Sequence, residues 1–224
     1  SGFAVFLAAT AALADDPEGR ITVVGTGRVA ASPDMATVEV GVSVFNAVAS
    51  VALRQNSAVM QTLFAELEQA AIAVRDIQTA EISLQPQWGQ RRSGNDQPKV
   101  VGYTASNLVR VRVRDLESLG TVLDRLGQAG ANQIHGIRFG FQDPKPMMDE
   151  ARRAAVADAA AKAALYASAA GVSLGAVLEI SEPGGRIAQP SFSRMASMEA
   201  ADVPVAGGEL SLNAQVTLVY ALVP

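Results

Sequence analysis

The sequence predicts an α+β protein, on three observations. Short segments alternate apolar and polar residues with the period of two that suits a half-buried strand. Between them lie stretches whose apolar residues recur at three and four, as on one face of a helix. The order strand–helix–strand occurs twice, over residues 36–87 and 100–142, and a third long, Ala-rich helix follows. The strands alternate instead of running continuously apolar, so the sheets are expected to be largely antiparallel with helices on one face. The two copies match in pattern rather than identity, which suggests an internal structural duplication.

Residues 21–24 begin a strand, and Gly25-Thr26-Gly27 is expected to break it. Over 36–45, Val38, Val40, Val42 and Val44 face one way against Glu39, Gly41 and Ser43. Asn46 stands where an N-cap belongs, ahead of a helix to about Ala71 striped by Val59, Met60, Leu63, Phe64 and Leu67. Residues 76–87 return to the extended pattern through Ile77, Ile82 and Leu84, and the polar stretch 90–97 reads as an exposed hairpin loop.

In the second copy Val109, Val111 and Val113 alternate with Arg110, Arg112 and Arg114. Leu119, Val122, Leu123 and Leu126 mark a helix over 116–128 ended by Gly130, and a strand covers 134–141. The third helix, 147–170, ends at Gly171, with Glu150–Arg153 and Asp158–Lys162 at helical ion-pair spacing. Its alanines matter more, since a small-residue face lets another backbone approach closely. A short strand is expected over 177–181 and a long irregular segment over 183–208. Leu210, Leu212, Ala214, Val216, Leu218 and Tyr220 then share one face of a final strand.

The 224 residues carry 18 basic and 22 acidic side chains, a formal charge of −4. Nucleic-acid binding draws on clustered Lys and Arg, and the adjacent basic pairs are only Arg91-Arg92 and Arg152-Arg153, so no nucleic-acid partner is expected. A chain of this length buries roughly 70% of its unfolded surface and needs no metal or disulfide staple. Cysteine is absent, which removes thiol catalysis, disulfides and thiolate metal sites. The single histidine, His135, cannot build a histidine metal cluster within one chain. No catalytic residue, metal ligand or cofactor is assigned.

Residues 3–14 form an unbroken run of apolar and small residues ending in Ala12-Leu13-Ala14, followed at once by Asp15-Asp16-Pro17-Glu18. Small residues at Ala12 and Ala14 suit a signal-peptidase pocket. The run is well short of the ~20 residues that span a bilayer, and a lipoprotein anchor would need a cysteine. The expectation is a truncated signal peptide over 1–14, cleaved after Ala14, and an N-terminal extension over 15–20. The mature chain is expected in the periplasm or secreted, with no integral membrane span.

Gly25-Thr26-Gly27-Arg28-Val29-Ala30 matches the dinucleotide fingerprint in letters only. That site needs a helix to start there, whereas Ser32-Pro33-Asp34 and another strand follow, so a hairpin is expected instead. His135 has the spacing to share a strand face with Ile137, Phe139 and Phe141, without a nearby nucleophile or orienting carboxylate. Arg110, Arg112 and Arg114 form a basic row about 7 Å apart. They offer an anion, lipid-headgroup or partner surface, or else a solvated face paired with acids on a neighbouring strand or subunit. Asp149-Glu150 and Asp15-Asp16 are neighbours that point apart and make no shared-proton dyad. Met195 and Met198 in the irregular segment are open to oxidation, and a sacrificial role is one reading of them.

Several co-linear motifs resemble one family. They are Asp76-Ile77-Gln78-Thr79 with Ile82-Ser83-Leu84-Gln85-Pro86, and Gly102-Tyr103-Thr104-Ala105-Ser106-Asn107 leading to Val109-Arg110-Val111 and Asp115-Leu116. Gly130-Ala131-Asn132, Gly136-Ile137-Arg138-Phe139, Glu150-Ala151-Arg152, Ala161-Lys162-Ala163 and Ala170-Gly171-Val172-Ser173-Leu174-Gly175 complete the set. Together they resemble the SIMPL-domain family over residues 20–222, taken as one domain over 21–224 with sub-units of about 21–90 and 98–224. One departure is Ala71-Ile72, where Gly-Ile is expected. The resemblance implies a secreted or periplasmic α+β protein with no catalytic residues to carry over. Some members are linked to oxidative-stress defence, and at least one forms a ring-like, channel-shaped homo-oligomer.

The protein is therefore expected to be a self-assembling structural or interaction protein of the envelope. The alternative is a ligand-binding or stress-protection module, monomeric or a small oligomer, using the arginine row. A hydrolase would require His135 or separated carboxylates to converge in a cleft.

Overall fold

A computed structural model describes residues 19–89, 98–183 and 207–223. The leader, the 90–97 loop, Met195, Met198 and most of the irregular segment lie outside the described residues. The strands are β1 (Gly19–Ala31), β2 (Met35–Asn46), β3 (Ile77–Trp88), β4 (Val100–Val113), β5 (Gln133–Gly140), β6 (Ser173–Ser181) and β7 (Leu210–Val223). The helices are α1 (Ala49–Gln69), α2 (Leu119–Gln128) and α3 (Lys145–Ala169), with 3-10 turns at Val74–Asp76 and Leu116–Ser118. They form two compact units. One holds β1 as far as Val29, α3, β6 and β7 from Leu212; the other holds the chain from Ala30 to Pro144 with the start of β7.

The second of these units contains both strand–helix–strand passages. Its sheet has the order β3-β4-β2-β5, and every neighbouring pair is antiparallel. The first strand of each passage is central and the second is at an edge, so the two passages interleave as a split β-α-β of ferredoxin-like type. Val38, Val40 and Val42 of β2 and Val109, Val111 and Val113 of β4 all turn to one face. Met60, Leu63 and Leu67 of α1 and Leu119, Val122, Leu123 and Leu126 of α2 cover it. Each such side chain contributes roughly 1.5–3 kcal/mol on full burial, which makes this face the organising core.

Asn46 does not cap α1. It ends β2 instead, and its Oδ1 accepts the Val48 N–H at 3.0 Å in an Asx turn. Val48 holds the cap position and has no side-chain oxygen to offer. At their other ends the three helices close alike. After α1, the Ile72 N–H donates to Leu67 O and the Ala71 N–H to Glu68 O, a Schellman motif. The same bonds recur around Gly130 and Gly171, each at positive φ. In α1 that left-handed position falls on Ala71, φ 58°, which is where the family pattern leads one to expect glycine.

In the other unit the sheet order is β1-β7-β6, with β6 antiparallel to β7. Ala214, Val216, Leu218 and Tyr220 of β7 pack with Val23 of β1 against α3. The face of α3 that meets the sheet is Ala151, Ala155, Ala159 and Ala163, all fully buried at a spacing of four. Two expectations are corrected here. Gly25 and Gly27 do not break β1, which runs unbroken to Ala31. Nor do β1 and β2 form a hairpin, since they belong to different sheets. The glycines are the place where strand and helix backbones meet: a Cβ on Gly25 would overlap Ala155 O and lie 2.6 Å from Ala159 N.

The outer edge of β1 is closed by side chains of α3. Asp158 Oδ2 accepts the Thr26 N–H at 2.8 Å, and Lys162 Nζ donates to Val24 O at 3.0 Å. Asp158 and Lys162 also pair with each other at 2.7 Å, as their spacing predicts. The expected Glu150–Arg153 pair does not form. Asp149 is the carboxylate in use, bound by Lys145 at 2.6 Å and Arg152 at 3.1 Å.

Candidate functional site

The face of the four-stranded sheet turned away from α1 and α2 carries the charge. With Val38, Val40, Val109 and Val111 in the core, the pleat places Thr37, Glu39, Leu108, Arg110 and Arg112 on the opposite side. Register sets Glu39 opposite Arg110 and Thr37 opposite Arg112, with Gln78 on the other flank of Arg110.

The three arginines of the predicted row have three different fates. Arg110 donates from Nε at 3.1 Å and Nη2 at 2.6 Å to the single oxygen Oε1 of Glu39. Arg114, just beyond β4, donates from Nε and Nη2 to the two oxygens of Asp76, both at 2.7 Å. Its Nη1 reaches Gln142 Oε1 at 3.2 Å. Arg112 is exposed and makes no hydrogen bond or ion pair among the described residues.

Asp76 is buried at the end of the 3-10 turn, where its N–H donates to Ala73 O at 2.8 Å. The Arg114 hydrogen bonds hold its carboxyl below the usual range against the opposing effect of burial, and the charges of Arg75 and Arg112 add to them. Glu39 is lowered in the same way, first by its hydrogen bond to Arg110 and further by the charges of Arg110, Arg138 and His135. Neither carboxylate therefore keeps a proton to donate near neutral pH.

Where the 3-10 turn meets β3 and β4 lies an open groove of about 210 Å³, lined by Arg75, Asp76, Gln78, Arg110 and Arg112. His135 stands apart from it and from the core. The register of β5 slips between Val38 and Val40, which takes His135 out of step with Ile137 and Phe139. It is exposed, and its charge acts on Glu39. Among the described residues no three acidic or histidine side chains group as a metal site, and no helix is long and apolar enough to cross a membrane.

Sequence reasoning missed Arg75, Glu39 and Asp76 as parts of this face. Alternation alone put Glu39 on the polar side of β2, but its partner followed only from strand pairing.

The SIMPL family, described as "Protein of unknown function (DUF541)", matches over residues 21–220. The chain belongs to the SIMPL family. Among its relatives it is 37% identical over 211 residues to the 26 kDa periplasmic immunogenic protein of Brucella melitensis, covering 91% of this chain and 84% of that one. It is 33% identical over 175 residues to the uncharacterized protein YggE of Edwardsiella ictaluri, 78% of this chain and 72% of the relative. With YggE of Escherichia coli K12 the identity is 30% over 215 residues, 93% and 85% of the two chains. The SIMPL match spans both compact units, so the glycine–alanine contact and the arginine face lie within a single family domain.

Proposed function

We propose that this SIMPL chain is an exported periplasmic protein that assembles with copies of itself through open sheet edges. The location follows the Brucella relative, whose name places it in the periplasm, and the leader-like run that ends at Ala14. Self-assembly is carried by β6. Among the described residues this edge strand pairs with β7 alone, and its Val177, Leu178 and Ile180 are exposed, Ile180 by 65%. An edge with bare backbone groups and apolar side chains is a template for another chain, and natural proteins normally blunt it with charge or proline. Between Ser173 and Ser181 the only charged residue is Glu179, and there is no proline. The register of β6 on β7 shifts twice, between Leu174 and Val177 and between Val177 and Glu179, as that of β3 does after Thr79. The contrast is that β3 carries Pro86 and that β1 is closed by Asp158 and Lys162.

Light scattering on the purified chain tests this. A mass many times that of one chain, lowered by Ile180→Lys, supports assembly through β6. A monomer or dimer across protein concentration and salt sinks it. N-terminal sequencing of the periplasmic protein tests export, with Asp15 the expected first residue.

A second function is a binding or oxidative-stress protection module acting as a monomer or small oligomer. The concave groove at Arg110 and Arg112 favours it.

A further inference from the structure

We propose that the groove between the 3-10 turn Val74–Asp76 and the open face of the four-stranded sheet binds a phosphate group, held by Arg75, Arg110, Arg112 and the side-chain amide of Gln78. It supplies the ligand class of the binding function named above, and it holds whether or not the chain self-assembles.

The charge count comes first. Among the described residues one carboxylate, Asp76, lines the groove and a second, Glu39, holds a lining arginine. Both are engaged: Asp76 gives its two oxygens to Arg114, and Glu39 binds Arg110. Glu81 lies beyond the β3 bulge, opposite Leu108, and pairs with none of these arginines. Among the described residues Arg75 and Arg112 line this concave surface without an ion-pair partner, and their charges act on the lining Asp76, which Arg114 already binds. Their two positive charges match a phosphate monoester or inorganic phosphate, which carries about −1.5 to −2 at pH 7. On a chain of formal charge −4 such a cationic hollow is a local exception.

Geometry adds specificity. Glu39 occupies the Nε and Nη2 edge of Arg110 through one oxygen, which fixes the guanidinium and leaves Nη1 unspent. A donor already held in place loses little freedom when a ligand arrives. Arg112 lies two residues along the same strand face, about 7 Å away. Gln78, opposite Arg110 in register, brings two neutral N–H donors. Planar guanidinium groups suit the tetrahedral, multiply accepting oxygens of phosphate better than a point charge does. At about 210 Å³ the hollow is smaller than the roughly 300–1,000 Å³ that enclose a drug-sized ligand, so it suits a phosphate with a short substituent.

The phosphate can be free or part of a lipid headgroup, and two probes separate these sources. Equilibrium dialysis of the full chain against radiolabelled inorganic phosphate at low salt measures the free ion. Co-sedimentation with phosphatidylcholine vesicles, with and without phosphatidic acid, measures the headgroup. Arg75→Gln and Arg112→Gln are the site variants; both replace exposed side chains, and circular dichroism confirms their fold. Arg138→Gln, outside the groove, is the control. One phosphate per chain is expected, weakened about tenfold or more by either site variant. The control is expected to lose less than about threefold, because it alters only a screened, longer-range field. Vesicle binding with the same arginine dependence, and no uptake of the free ion, assigns the groove to headgroups. The proposal is overturned if neither probe binds saturably. It is equally overturned if Arg138→Gln weakens binding as much as Arg112→Gln, because a diffuse charged surface then explains everything.

Discussion

Arg114 grips Asp76 with two parallel hydrogen bonds of 2.7 Å, although 38 residues separate them in the chain. The carboxylate side chain is 3% exposed and the guanidinium 38%, so the pair spans the boundary between core and water. It ties the 3-10 turn ahead of β3 to the end of β4, and so sets one wall of the groove.

Removing Arg114 strands a buried carboxylate, whereas Asp76→Asn leaves a neutral amide facing an arginine that can rehydrate. Asp76→Asn is therefore expected to cost about 1–2 kcal/mol, and Arg114→Ala more. Urea midpoints of the two variants test the order.

The acid limb of stability follows from the same pair. Asp76 titrates below its ordinary value of 3.8 when folded, because Arg114 binds its charged form. The folded chain thus binds fewer protons than the unfolded one in that window. Asp76 contributes its full stability above pH 3.8 and loses it as pH falls through the lowered value. Asp76→Asn should flatten stability against pH below that point and leave the slope above pH 5 or so unchanged. Denaturation midpoints measured across the acid range decide this.

Gly25→Ala forces a methyl group into the α3 backbone at Ala155, and Gly27→Ala does the same at Ala151. Because the obstacle is backbone and cannot rotate away, each is expected to cost about 3 kcal/mol. Thr26→Ala keeps the N–H that Asp158 accepts and should be nearly neutral. Thermal melts of the three variants compare them directly.

Ala71→Gly should stabilise. A left-handed alanine costs about 1–2 kcal/mol, and the extra freedom glycine gives the unfolded chain takes back about 0.5–1 kcal/mol. A gain of roughly 0.5–1 kcal/mol corresponds to a melting temperature higher by about 2 °C. A fall in melting temperature would contradict the left-handed assignment.

Asn56 is a buried polar residue of α1 whose Nδ2 donates to Val42 O at 2.8 Å and Ala105 O at 3.0 Å. It pins the helix to both central strands. Asn56→Ala deprives two carbonyls of their donor and should cost about 2 kcal/mol. Asn56→Asp should be worse at neutral pH, with a carboxylate facing those oxygens, and should partly recover on acidification as the group protonates. A recovery on acidification in Asn56→Asp that Asn56→Ala lacks is the result to look for.

The alternating valines of β2 and β4, the leucine stripe of α2 and the last strand were legible because burial imposes a local period that needs no knowledge of the partner. The glycine expected after the first helix came from the family resemblance, and the position it marks is left-handed here; only the residue supplying it differs. Asn46 misled for an equally local reason: the same side chain serves an Asx turn or a cap, and β2 ran long enough to claim it.

Contacts between distant segments were invisible in the sequence. Gly25-Thr26-Gly27 looks like a strand breaker until α3 lies across it. Three arginines at even spacing are equivalent on paper. They become unequal only when strand register sets Glu39 beside one, and a turn 38 residues back sets Asp76 beside another. Period and propensity are properties of neighbours along the chain, so the sequence by itself determined most of the elements, the buried valines of β2 and β4, the leucines of α2 and the family. Phe64, by contrast, expected on the buried stripe of α1, is exposed. Pairing, close approach and the leftover charge of Arg75 and Arg112 depend on which segments the fold brings within a few ångströms, and only the tertiary structure decided those.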